Sequence, residues 1–438
     1  MAETERFERT HPHAAARHAA GSGALLGGVP MPWMMRWAGG FPIIATHAKD
    51  ARLWDTDGHE YVDFCLGDTG AMTGHAPDAV IAAATERLAE GTTLMLPTED
   101  ADVVGAELAR RFNLPRWQIT LSATDANRAA LRMARHLTGR DKVLCFSYSY
   151  HGGVDETFAV ADGRGATVAR EGSIGPPVDV ALTTRAVEFN DVEGVRAALA
   201  HGDVACVIAE PAMTNMGIIL PEPGFHEQLR ALTREAGTLL VIDETHTLSA
   251  GPRGATALYG LEPDMLTIGK AIAGGVPAGA VGITEALARQ LLADPSADVQ
   301  DTGGIGGTLA GNALSLAAMR AALTEVLTAD GFARATAAGD RLRAGVEHAI
   351  ESFGLPWHAV QLGCRVEYRF TATPPANGSA SRASADEDLE RFMHLHALNR
   401  GVLVTPFHNM LLASPVTTTA DADEHTQVFE EALKDLFG

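Results

Sequence analysis

The sequence predicts an α/β fold of two parts: a large domain with a mainly parallel central sheet that offers ligands its strand ends, and a smaller α+β domain. Three observations carry this. Short apolar runs at 143–146, 204–209, 239–242 and 265–268 alternate with stretches of helical periodicity, the signature of βαβ crossovers. Each run exits into polar or charged residues, namely Ser147-Tyr148-Ser149-Tyr150-His151, Glu210, Asp243-Glu244 and Gly269-Lys270. From about residue 330 the pattern changes to a long amphipathic helix, a strand at 364–370, a Pro/Ser/Ala-rich connector at 371–385 and helices on either side of 402–405. The expected organisation is an N-terminal segment, 1–74, that contributes to the small domain and a substrate pocket, then a large domain, 75–312. A linking helix and C-terminal small domain, 313–438, complete it.

Composition narrows the function. A chain of 438 residues with 46% hydrophobic and 20% charged residues is ordinary globular protein and excludes disorder over most of its length. A formal net charge of −21 argues against a nucleic-acid partner, whose affinity would come from Lys and Arg neutralising phosphates. The N-terminus is charged from the start and no apolar run is long enough to span a bilayer, so no membrane role and a cytoplasmic location are expected. Cys65, Cys145, Cys206 and Cys364 are widely separated with no C-x-x-C pair, which reads as reduced core residues and gives no metal site.

In chain order, residues 1–28 read as a polar, Ala-rich helical segment whose His11, His13 and His18 are expected to be solvated. The stretch around Trp33, Met34, Arg36 and Trp37 concentrates aromatics and methionines about one arginine. It reads equally as a pocket lining or as a loop packed between domains. Residues 52–64 predict two strands joined at Asp57-Gly58. Helical patterns follow at 78–88 and 99–112, then a strand at 119–121 that runs into Ser122-Ala123-Thr124-Asp125-Ala126-Asn127 ahead of a helix at 128–137. Small hydroxylated residues opening a helix suit an anion, although the same residues serve as an ordinary N-cap. The Gly/Pro-rich stretch 161–184 is expected to loop over the surface, and Asn215 follows Glu210 within a loop. A glycine-rich run, 302–312, precedes an Ala-rich helix at 313–327.

Lys270 carries the sharpest argument. It is one of only four lysines, with Lys49, Lys142 and Lys434, and it alone is enclosed by small and apolar neighbours. An amine placed so is available as a Schiff-base nucleophile. Together the strand exits supply an anion cup (Ser122 to Thr124), an aromatic ring (Tyr150), a carboxylate (Asp243) and an amine (Lys270). The ligand that uses all four is a phosphorylated pyridine aldehyde, pyridoxal 5'-phosphate. Its ring accepts electrons when the pyridine nitrogen stays protonated, which assigns a buried carboxylate, Asp243, to that nitrogen.

Six motifs then stand in order: SATDAN at 122–127, YHG at 150–152, EPAMTNMG at 210–217, DETHT at 243–247, GK at 269–270 and GGTLAGN at 306–312. With them the chain resembles the class III, or subgroup II, aminotransferases of fold type I, from about Gly39 to the C-terminus. The resemblance implies Lys270 as the Schiff-base lysine and Asp243 at the pyridine nitrogen. It places Thr245 against one ring face, Tyr150, followed by His151, against the other, and Asn215 near the ring hydroxyl, in the loop that Glu210 opens. Ser122, Ala123 and Thr124 would bind phosphate, with Thr308 reaching the phosphate of a neighbouring subunit, which implies a homodimer with shared sites. Ala123, Asp125 and Thr245 stand where the family usually has Gly, Glu and Val.

Within the family, 210–244 looks most like glutamate-1-semialdehyde aminomutases and 249–270 like β-amino-acid aminotransferases. The aminomutases carry a gating carboxylate near a C-terminal substrate loop, whereas the comparable loop here reads Thr405-Pro406-Phe407-His408-Asn409-Met410. The expectation is therefore ordinary ping-pong transamination between an amine or amino-acid donor and a keto or aldehyde acceptor, with Trp33, Arg36, Trp37 and His408 lining the substrate pocket. An aminomutase is the alternative, and a non-catalytic binding protein of the same fold the reading from another class.

Overall fold

The apolar runs do form one sheet. The computed structural model of the chain describes residues 2–21, 23–174, 178–295 and 304–438. Residues 175–177 of the Gly/Pro-rich stretch and Thr302-Gly303 of the glycine-rich run lie outside the described residues. The seven strands are β1 (Arg116–Thr120), β2 (Lys142–Phe146), β3 (Thr184–Val187), β4 (Val204–Ala209), β5 (Leu239–Asp243), β6 (Met265–Gly269) and β7 (Gly279–Ile283). Their order across the sheet is β1-β7-β6-β5-β4-β2-β3. From β3 to β6 all pairings are parallel, and β7 is antiparallel to both β6 and β1. The sheet belongs to a unit made of Asp78–Ala329 and Pro375–Ala383.

Both faces of the central strands are covered, which is why they read as continuous apolar runs. On one face Cys206, Ile208 and Val241 pack with Ala126, Ala130 and Met133 of helix α1 (Ala123–Thr138). On the other, Val207, Leu240 and Ile242 pack with Leu199, Phe225 and Leu229. Consecutive side chains alternate between these faces, as the pleat requires. All four cysteines are buried and free, and burial pushes each thiol up to about 12.

Several local expectations are corrected. Helix α1 starts at Ala123, five residues before the predicted 128, because Ser122 caps it: the Ser122 hydroxyl accepts from Asp125 N (3.2 Å) and donates to Asp125 Oδ2 (2.8 Å). SATDAN is thus the first turn of the helix, not a loop ahead of it. Strand β7 escaped the apolar pattern because two of its five residues are glycines. At Gly282 a Cβ would lie 2.6 Å from the Trp117 ring, and at Gly279 it would strike the Ser122 carbonyl. At the start of the predicted surface loop, 161–184, Thr167–Ala169 pairs with Ala159–Ala161 as an antiparallel ribbon.

The second unit comprises Met1–Pro77, Asp330–Pro374 and Ser384–Gly438. One sheet joins Ala45–Lys49, Arg52–Asp55, Glu60–Asp63 and Val402–Leu403; another joins His358–Leu362, Arg365–Arg369 and Met410–Leu412. The N-terminal segment forms two helices, Ala2–Thr10 and Pro12–Ala20. His11 between them is 2% exposed, not solvated. Its Nδ1 bonds the Phe7 carbonyl (2.8 Å) and its Nε2 meets the Tyr61 hydroxyl (2.9 Å), so the ring is a buried clasp. Among the described residues no helix is long and apolar enough to cross a membrane.

Candidate active site

Asp243 ends β5 and is 3% exposed. A carboxylate so placed is costly unless every lone pair is used. Asn127 Nδ2 donates to Oδ2 (2.9 Å), His151 Nδ1 meets the same oxygen (2.9 Å), and Thr245 N donates to Oδ1 (3.0 Å). Burial works to raise the carboxyl's pKa, but the hydrogen bonds and charge of His151, with Thr245 and Asn127, outweigh it and hold the group below the usual carboxylate range. It is an anion at neutral pH, buried and oriented. Asn127 is itself fixed, since its amide also donates to the His151 carbonyl (3.0 Å) and its Oδ1 accepts from Thr267 Oγ1 (2.5 Å).

Lys270 follows β6 with φ +53°, a left-handed conformation that a non-glycine residue holds at a cost of roughly 1–3 kcal/mol. Strain of this kind persists where the surroundings over-determine it, and it turns the side chain at the strand end. Gly269 before it admits a close approach of α1: a Cβ there would lie 2.9 Å from the Ala123 methyl and 2.9 Å from Ala123 N. The alanine that replaces the family's glycine is therefore accommodated by Gly269. Lys270 Nζ lies 2.9 Å from Nε2 of His246, itself 5% exposed.

The N-terminus of α1 is the predicted anion cup. Thr124 Oγ1 accepts from Gly153 N (3.2 Å), and Gly152, at φ +78°, packs so close that a Cβ would collide with Thr124 Oγ1. This ties the YHG turn to the helix start. Ala123 and Thr124 open a helix of sixteen residues, and N–H groups at a helix start favour an anion.

The remaining predicted residues fall as follows. Tyr150 is half-buried beside Phe158 (ring centroids 6.4 Å). Glu210 is 4% exposed and accepts from Thr214 Oγ1 (2.5 Å), and Asn215 is half-buried in the loop closed by the Met213–Ile219 bridge. Thr308 is exposed on the turn before helix Ala313–Ala321. In the other unit the Trp33 ring lies tilted against Phe407 (centroids 5.4 Å), Arg36 is exposed, and Trp37 packs against the cluster of Phe7 and Phe41. His408 is 4% exposed and its Nδ1 lies 3.2 Å from both Glu367 oxygens. The loop that lacks a carboxylate in its own sequence thus has one supplied by the strand Arg365–Arg369.

These residues fit pyridoxal phosphate. An ionised buried carboxylate, an amine at the neighbouring strand end and a capped helix start are present together. Two buried atoms of the same turns, His151 Nε2 and Thr245 Oγ1, have no hydrogen-bond partner in the protein. The sequence reading missed Asn127, Thr267 and His246. Asn127 could have been found as the one amide on an otherwise apolar helix face, since buried amides need partners.

Comparison with known proteins gives the same picture. The profile described as Aminotransferase class-III matches residues 33–433. Glutamate-1-semialdehyde 2,1-aminomutase 2 of Brevibacillus brevis is 35% identical over 429 residues, 94% of this chain and 96% of its own. A crystal structure of a glutamate-1-semialdehyde-aminomutase from Pseudomonas aeruginosa PAO1 superposes with a TM-score of 0.96 at 48% identity, covering 99% of this chain and 97% of that one. A lysine-to-alanine variant of that protein, in complex with PMP, superposes equally well, with a TM-score of 0.96. A β-phenylalanine aminotransferase from Variovorax paradoxus has a TM-score of 0.86 at 26% identity, covering 99% and 96%.

Proposed function

Since the chain belongs to the class-III aminotransferase family, we propose that it relocates an amino group within one small amino-aldehyde acid, as a glutamate-1-semialdehyde aminomutase does. The observation that supports this most is the 48% identity across 99% of the chain to the P. aeruginosa protein of that name. The cofactor is pyridoxal 5'-phosphate. When bound it supplies an electron-accepting ring and an aldehyde carbon that links to amines.

The chain's own residues do the rest. Lys270 Nζ would hold the cofactor through its aldehyde carbon and, when free, would carry a proton to and from the substrate carbon. Asp243, held ionised by His151, Asn127 and Thr245 N, keeps the pyridine nitrogen protonated. Tyr150 and Thr245 would flank the ring, Asn215 would approach its hydroxyl, and Ser122, Ala123 and Thr124 would bind the phosphate. A homodimer follows in this reading, with Thr308 reaching the second copy's phosphate. Met95, Leu96 and Leu309, exposed by 77%, 72% and 49%, are apolar surface that a second copy would cover. Four free, buried thiols accord with a cytoplasmic setting.

Transamination is the second reading, favoured by the loop 405–410, which carries no acid of its own, and by the likeness to the β-phenylalanine aminotransferase. Both reactions share the same first half, so turnover with one substrate separates them. Purified holoenzyme given glutamate-1-semialdehyde and no acceptor is expected to convert many equivalents per site to the isomer with amino and carbonyl positions exchanged. Conversion that stops at one equivalent and resumes on adding a keto acid would replace the aminomutase reading with transamination.

A further inference from the structure

The proposed function gives no role to His246, a buried imidazole that follows β5. The parallel register pairs Asp243 of β5 with Thr267 of β6. Three residues on from each come His246 and Lys270, so the two chains deliver their side chains to the same level of the sheet edge. The turn that carries His246 is rigid. Glu244 N donates to the Thr267 carbonyl (2.8 Å), and the buried Glu244 carboxylate accepts from Thr247 Oγ1 (2.6 Å), Ala255 N (3.2 Å) and Thr256 N. Gly254 is required there, because a Cβ would lie 2.5 Å from Glu244 Oε2.

Resting on the function proposed above, we infer that His246 is a positioning residue for Lys270, which holds Nζ at the strand end and takes a proton from it. The geometric basis is the 2.9 Å contact between Nζ and Nε2. An ammonium has only protons to offer, so it donates to an unprotonated Nε2. For Nζ to become a nucleophile one of its N–H bonds must break; the electron pair stays on nitrogen and the proton passes to Nε2, which becomes imidazolium. The ionisable groups at the sheet's strand exits include Asp243 and Glu244 on the histidine's own strand, Lys270 after β6, Tyr148, Tyr150 and His151 after β2, and Glu210 after β4. Asp243 is engaged by His151, Asn127 and Thr245 N, and Glu244 by its own turn. The imidazole lies within hydrogen-bond distance of Nζ and can exchange a proton with it.

The test follows capture of pyridoxal phosphate by cofactor-free protein, read as the rate of appearance of visible absorbance across pH 6 to 9. His246→Ala is expected to slow capture by at least about 10-fold, with partial rescue by added imidazole. His246→Gln keeps a hydrogen bond but cannot accept a proton, so it should fold and bind yet lose the wild-type pH dependence of capture. Variants that capture cofactor at the wild-type rate with the wild-type pH profile would overturn the role of His246 alone. A wild type that captures none would overturn the function itself, and this role with it.

Discussion

Lys270→Ala is expected to lower turnover by at least about 10³-fold, the scale of loss when a covalent nucleophile is removed, while the protein stays folded. No other amine can take its place. Lys49 donates to the Ala76 carbonyl (2.8 Å) and Lys142 to the Ala181 carbonyl (2.6 Å), and the fourth lysine, Lys434, lies in the C-terminal helix Thr419–Phe437. The side chain is half-buried at the end of a fully buried strand, so its truncation removes little packing. The variant should bind pyridoxal phosphate without the visible band that the covalent link gives. Activity within 10-fold of wild type would remove Lys270 from the chemistry.

Asp243→Asn is expected to cost roughly 10²-fold or more in kcat, the scale of removing one electrostatic partner from a closed site, and also to destabilise the fold. The new amide nitrogen would face the donors that Asp243 now satisfies, Asn127 Nδ2 and Thr245 N; stranding one buried donor costs about 1–3 kcal/mol. The pH dependence carries a sign. The carboxyl is held below its usual value in the fold, so its stabilisation is complete above the ordinary carboxylate range near pH 4 and is lost as pH falls through the depressed value. Denaturant midpoints of wild type and variant should therefore differ most at neutral pH and converge in acid. A gap that widened on acidification would contradict the account.

Much of this site was legible because strands buried on both faces announce themselves as apolar runs, and whatever ends them is exposed at the sheet edge. The positions of Asp243, Lys270 and Ser122 at strand ends were legible in that way. Features that depend on non-local packing were not. Strand β7 is disguised by Gly279 and Gly282, whose missing side chains make room for Ser122 and Trp117. His11 reads as a surface residue until residues 50 positions away supply Tyr61. The connector 371–385 reads as a linker, yet its short helix Gly378–Ala383 docks on the larger unit, where Gly378 fits against Ser147 and Tyr148 and Ser381 Oγ donates to the Met216 carbonyl. The reading of loop 405–410 as lacking a carboxylate did not include Glu367, because a carboxylate missing from a loop's sequence can be supplied by a strand beside it.

The claim on which the rest depends is that Lys270 is the residue that holds the cofactor. Borohydride reduction of the pyridoxal-phosphate-loaded protein, followed by peptide mass mapping, tests it in one step. One cofactor mass per chain is expected, on the peptide that contains Lys270, with Lys49, Lys142 and Lys434 unmodified. Label on any other lysine, or no label after loading, would contradict it.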